Sequence, residues 1–120
     1  MTKKVVTREE VPVELTWDLT TIFATDEAWE AEFKELEQLM NKAADFKGTV
    51  TESAERLYET LQFTDQLFER FNRLYVYAHL KHDQDTTNST YQALDGRVKS
   101  LAAKAGAAWS NPLNLVFTNE

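Results

Sequence analysis

The sequence contains no cysteine. That excludes a disulfide-stapled scaffold, a thiolate nucleophile, and any zinc or iron–sulfur site built on sulfur. Glycine occurs three times and proline twice, so collagen-like and low-complexity architectures are excluded as well. Gly48, Gly96 and Gly106 stand far apart, and a glycine-rich phosphate loop has no place to form. Basic residues are outnumbered, 13 against 20 acidic, for a net charge of −7, and the longest basic cluster is Lys3-Lys4. A phosphate-binding face needs clustered Lys and Arg, so no nucleic-acid partner is expected. No apolar run approaches the ~18 residues of a membrane span, so no membrane partner is expected either. The N-terminal stretch Met1 to Thr7 lacks the apolar core of a signal peptide. The composition fits a cytoplasmic location.

What remains is the composition of one ordinary domain of 120 residues. Leu, Ile, Val and Phe together make 29 of them, enough apolar weight to escape the disordered class. The periodicity predicts an all-α fold of about four helices in antiparallel hairpins, preceded by an extended arm. Residues 1–24 form that arm. Pro12 biases Val11 away from helix, and Asp18 is placed to cap one brief turn. Trp17, Leu19, Ile22 and Phe23 give the arm the means to pack on the helices.

A helical domain is expected over residues 25–112. Thr25 is a good N-cap for a first helix from Asp26 to about Ala44, with Asp26 and Glu27 on the positive end of its dipole. Trp29, Phe33, Leu36, Met40 and Ala43 recur at steps of three and four and define its apolar face. Gly48 marks a turn. Thr51 or Ser53 then caps a short second helix carrying Leu57, Tyr58 and Leu61. Thr64 caps a third, from Asp65 to about His82, with Leu67, Phe68, Phe71, Leu74, Tyr75 and Ala78 as its stripe. Thr86-Thr87-Asn88 opens a fourth helix to Trp109, which Asn111-Pro112 ends. The apolar ending from Leu113 to Glu120 reads as the start of an unfinished segment, as in a truncated larger chain.

The fourth helix has two faces. Tyr91, Leu94, Val98, Leu101, Ala105 and Ala108 make a core stripe. Ala93, Gly96, Ser100, Ala103 and Ala107 make a second row of small residues, of the kind that lets another helix approach. Alanine is also simply a good helix filler, but Gly in a helix interior costs ~1 kcal/mol relative to Ala. A second buried face would leave more surface to cover than the chain has helices. Self-association or a missing partner domain would follow.

Candidate chemistry is sparse. The two histidines, His79 and His82, share a helix face at a spacing of three, which could make half of a metal site. The metalloprotease pattern needs a spacing of four and a Glu beside the first His, and Leu80 stands there instead. Two ordinary histidines at a polar edge are the plainer account. Asp83 to Asn88 begins like a calcium loop, but Asn88 and Leu94 occupy the positions that require Gly and Glu. Asn88-Ser89-Thr90 fits a glycosylation pattern in a chain without a secretory context. No nucleophile elbow is present. Tyr77 falls off the main stripe, which would place it against a ligand cleft or a second domain, or simply at the surface. No catalytic, cofactor-binding or metal-binding residue is assigned.

Several segments together resemble one family. Trp17-Asp18-Leu19-Thr20-Thr21-Ile22-Phe23 is similar to the W-D-L-T-x-[IL]-[FY] opening of oligoendopeptidase F, within the thimet oligopeptidase-like zinc metallopeptidases. Asp26 to Glu30 and Phe46-Lys47-Gly48 resemble its next segments. Leu74-Tyr75-Val76-Tyr77-Ala78-His79-Leu80-Lys81-His82-Asp83-Gln84-Asp85-Thr86-Thr87-Asn88 resembles its L-Y-x-Y-A-x-L-x-x-D-x-D-T-x-N stretch, and Tyr91 to Leu94 follow. The resemblance covers nearly the whole chain in order. It implies the N-terminal helical part of a cytoplasmic peptidase that cuts short peptides in an enclosed channel. It also implies zinc in the full-length parent, where a zinc-bound water would attack the peptide carbonyl with a Glu as general base. The family's His-Glu-x-x-His motif and third ligand have no counterpart here, so this part would wall the channel and be inert alone. Its partner would be the downstream catalytic domain. The alternatives are a stand-alone helical interaction module that self-associates as a homo-oligomer, and a small metal-binding protein using His79 and His82.

Overall fold

The computed structural model describes residues 4–118, with side chains described through residue 108. Three α-helices carry the fold, α1 (Asp26–Asn41), α2 (Ala54–Gln84) and α3 (Ser89–Thr118), with no strand among the described residues. The fold is all-α as expected, but the expected second and third helices are one. Thr64 explains the difference. A cap side chain accepts from a backbone N–H ahead of it. The Thr64 hydroxyl instead donates backward to the Thr60 carbonyl at 2.8 Å, and Thr60 does the same to Arg56 at 2.8 Å. Both threonines are buried inside a continuous helix.

The true caps lie where the side chains can reach forward. Thr25 Oγ1 accepts from the Ala28 N–H at 3.1 Å, and Ser53 Oγ from Arg56 at 3.0 Å. Asn88 Oδ1 accepts from Thr90 at 3.0 Å and Tyr91 at 3.3 Å. α1 stops at Asn41 rather than near Ala44, and the chain tightens into a 3-10 segment, Lys42–Phe46. Gly48 then turns with φ of 76°, a conformation only glycine adopts without strain. α3 does not end at Asn111-Pro112 but remains helical to Thr118. Pro112 therefore sits inside a helix, where it removes one backbone hydrogen bond without stopping the chain. The side chains of Leu113 to Phe117 lie outside the described ones.

Contacts fix the directions. Trp29 Nε1 donates to the Leu74 carbonyl at 3.0 Å, and Arg70 reaches Glu32 and Glu35, so α1 and α2 run antiparallel. A four-residue connection returns the chain antiparallel into α3. Arg97 meets Glu30 and Lys104 meets Glu37, so α3 lies parallel to α1. The core between them is Trp29, Phe33, Leu36 and Met40 of α1, Leu67, Leu74 and Ala78 of α2, and Leu94, Val98, Leu101 and Ala105 of α3.

Two expected inward residues point out. Phe68 is half exposed, because the row through Thr60, Thr64, Leu67, Leu74 and Ala78 sits one residue step away around the helix. Ala108 is exposed at the far end of the α3 stripe. The arm is not simply extended. It makes three 3-10 turns, Arg8–Glu10, Val13–Leu15 and Leu19–Thr21. Asp18 caps the last, accepting from Thr20 at 3.0 Å. That turn sends Leu19 and Phe23 inward and leaves Ile22 half-buried, while Trp17 is 71% exposed.

Candidate functional site

A polar cluster lies where α2 meets α3. Asp95 is buried, yet its carboxylate takes Lys99 Nζ at 2.6 Å and lies 3.4 Å from His79 Nδ1. On its other side the His79 Nε2 is 3.4 Å from Asp83. Tyr75 stacks on the imidazole at 5.5 Å between ring centres. The hydrogen bond from Lys99 holds the Asp95 carboxyl below its usual range against the opposing effect of burial, with help from His79. The cluster joins His79 and Asp83 of α2 to Asp95 and Lys99 of α3. It fastens two helices.

His82 does not join it. Its Nδ1 is buried without a hydrogen-bond partner. The half-site suggested by the His79–His82 spacing is therefore not assembled, and among the described residues no group of three His, Asp or Glu could hold a metal ion.

Tyr77 does not stand at the surface, and it is among the residues that line a hollow between the arm and α2. It is 2% exposed and packs edge-on against Phe23 at 5.4 Å. Its hydroxyl donates to Asp26 Oδ1 at 2.6 Å. Burial first, then this hydrogen bond to a carboxylate, pushes the phenol well above its ordinary pKa. It stays a donor at any working pH and ties α2 to the N-terminus of α1. That shallow hollow has a volume of about 390 Å³, with Asp18, Asp26 and Lys81 on its rim. Within it Tyr77 Oη and Lys81 Nζ both approach Asp26 Oδ1, at 2.6 and 3.9 Å.

The side chains that sequence reasoning missed are long-range. Arg97 forks onto Glu30 at 2.6 and 2.9 Å and lies over the Phe33 and Trp29 rings. Arg70 forks onto Glu32 at 2.6 and 3.1 Å. These pairs are 67 and 38 residues apart in sequence. No local spacing signals them. Hydrogen bonds from Arg97 and Arg70 depress the Glu30 and Glu32 carboxyls.

An acid response follows. Glu30, Glu32 and Asp95 all have lower pKa values folded than unfolded, where Glu and Asp lie near 4.5 and 3.8. Their stabilisation is complete above that range and is lost as pH falls through the lower folded values. Melting temperature should hold between pH 7 and about 5 and drop below about 4. The Asp95→Asn variant, melted at pH 7 and pH 3, should show a smaller drop between the two. A drop as large as that of the parent chain would assign the acid response elsewhere.

Ala93, Gly96, Ser100 and Ala103 are exposed, so this row of α3 faces away from the core. A Cβ built on Gly96 would meet nothing within 4 Å. No helix among the described residues is long and apolar enough to cross a membrane.

Comparison with known proteins supplies what the geometry does not. No family model matches the chain. The chain is 45% identical over 101 residues to oligopeptidase PepF of Bacillus subtilis, covering 84% of this chain and 15% of that protein. It is 40% identical over 103 residues to group B oligopeptidase PepB of Streptococcus agalactiae, covering 86% and 17%. The crystal structure of oligoendopeptidase-F from Enterococcus faecium superposes with a TM-score of 0.67 at 35% identity, over 72% of this chain and 17% of that one. The chain thus spans about a sixth of the length of these relatives.

Proposed function

We propose, from the premise that this chain belongs to the oligoendopeptidase F family as its N-terminal helical part, that it is one wall of an oligopeptidase and not a catalyst by itself. The observation that carries this is the asymmetry of the match. Most of this chain aligns, at 35–45% identity, with a small N-terminal fraction of proteins named as oligopeptidases. In the parent, the remaining polypeptide is the partner, and short peptides are the substrates, cut in a helical channel that this part helps enclose. The parent works in the cytoplasm. The arm of residues 1–24 serves there as a strap seated on the helical body.

Zinc is the metal we assign to the parent. The residues described here do not fit it. Asp83 and Asp95 each lie 3.4 Å from a ring nitrogen of His79, and among the described residues no group of three ligands forms with either histidine. No step of the hydrolysis is therefore placed on this chain. Its contribution is shape and exclusion: three packed helices present a rigid surface, and a channel with rigid walls admits short peptides and refuses folded proteins.

The test begins with the reading frame beyond Glu120, which should encode a His-Glu-x-x-His motif. The full-length product should cleave short fluorogenic peptides and lose that activity to a chelator. The 120-residue chain should cleave none. Cleavage by the short chain, or chelator-resistant cleavage by the long one, would overturn the assignment.

A second reading draws on the exposed row Ala93, Gly96, Ser100 and Ala103. On it, the chain is an interaction module that self-associates. A stop codon near Glu120 together with a defined oligomer in light scattering would favour it.

A further inference from the structure

The outward face of α2 carries side chains that the fold does not use. α2 turns Leu67, Leu74 and Ala78 toward the core and sends Arg70 and Tyr77 to α1. Tyr58, Leu61, Phe68 and Val76 lie elsewhere. At 100° per residue they fall within an arc of about 80°, on one side of the helix. They are 62%, 46%, 50% and 36% exposed. A lone exposed hydrophobe is ordinary, but a surface helix of a finished domain keeps this face polar. The row extends about 27 Å along the axis.

Its charge is equally unfinished. Asp65 and Glu69 stand within and beside the row, both exposed, and no ion pair to either is present among the described residues. The arginines of the same helix are engaged elsewhere. Arg56 binds Glu59 and the Asp45 carbonyl, Arg70 binds Glu32 and Glu35, and Arg73 binds the Ile22 carbonyl. The face is apolar with uncompensated negative charge.

We infer that this face seats an amphipathic helix from the remaining polypeptide of the parent peptidase, one with an apolar row flanked by Lys or Arg. The inference rests on the function proposed above. Two observations select that occupant. The relatives carry some five-sixths of their length outside the matched part, so there is ample chain to cover α2. A second copy of this chain fits poorly, because it brings a net charge of −7 and would set Asp65 and Glu69 against their own like. An apolar ridge with basic flanks answers both the exposed side chains and the unpaired carboxylates.

The experiment places a photo-cross-linking phenylalanine derivative at position 68 of the full-length parent, with the adduct located by mass spectrometry. The expected product is an intramolecular cross-link to a helical peptide beyond the matched region that carries Lys or Arg three or four residues from its apolar positions. A covalent dimer, a cross-link within residues 1–120, or no adduct overturns the inference while leaving the peptidase assignment intact. If sequencing shows no downstream peptidase, the assignment itself fails and takes this inference with it. A paired measurement guards against misfolding. The double variant Leu61→Ser, Phe68→Ser should leave the melting temperature of the 120-residue chain within about 2 °C and lower that of the parent by several degrees. Equal shifts in both would mean that the row serves only the fold seen here.

Discussion

Trp29→Ala is expected to lower the unfolding free energy by about 3–5 kcal/mol. The indole is fully buried at the junction of the three helices. It stacks on Phe33 at 5.1 Å, with the Arg97 guanidinium 5.3 Å from its ring. Its Nε1 donates to the Leu74 carbonyl at 3.0 Å, across 45 residues of sequence. Removing the ring opens a cavity against α2 and α3 together and leaves Arg97 with one aromatic neighbour fewer. Total stabilities of small domains run about 5–15 kcal/mol, so the variant should lose a large fraction of its margin against unfolding. Trp29→Phe keeps part of the ring and gives up the hydrogen bond, and should cost about 1–3 kcal/mol. Urea melts followed by far-ultraviolet circular dichroism check both. A Trp29→Ala loss under about 1 kcal/mol would mean that the three-helix junction is not the centre of the fold.

The second large effect belongs to Tyr77. Tyr77→Ala should cost about 3–5 kcal/mol and also free the arm. Phe23 loses the ring that it meets edge-on, and with Leu19 it is the arm's main buried anchor. Arg73 then holds the arm largely through the Ile22 carbonyl at 2.7 Å and the Phe23 ring. Limited proteolysis should cut the variant between residues 15 and 24 well before the parent chain, while the helices persist. Tyr77→Phe preserves the edge-on contact and loses only the hydroxyl bond to Asp26. Asp26 is partly exposed and can turn to water, so that variant should cost about 1 kcal/mol with the arm still protected. Equal protease sensitivity in Tyr77→Ala and the parent would show that the arm is held by something other than this pocket.

Local chemistry was legible from residue order, and non-local chemistry was not. Thr25, Ser53 and Asn88 cap their helices because cap geometry depends on three or four consecutive residues. The buried face of α1 follows from period alone, since Trp29, Phe33, Leu36 and Met40 are each buried. The division of α2 failed for a reason that period cannot see. A threonine can accept forward as a cap or donate backward inside a helix, and burial of Thr60 and Thr64 among core side chains decides which. Phe68 looked like core because it neighbours Leu67, while the actual face is set by where α3 lies. The Arg97–Glu30 and Arg70–Glu32 forks join residues that nothing in the sequence brings near. The absence of any assigned catalytic residue rested on missing motifs, and the family came from short ordered segments rather than from a site.

The undivided α2 has a mechanical consequence. Its 31 residues include no glycine or proline, and at 1.5 Å per residue the rod is about 46 Å long. Tyr77, which grips the arm, lies near one end, and Tyr58 lies near the other. A rod without a joint acts as a lever. A tilt of about 10° at the arm-bearing end swings the opposite end by about 8 Å. Two short helices meeting at Thr64 would absorb that torque at the joint, whereas a single shaft transmits it along its whole length.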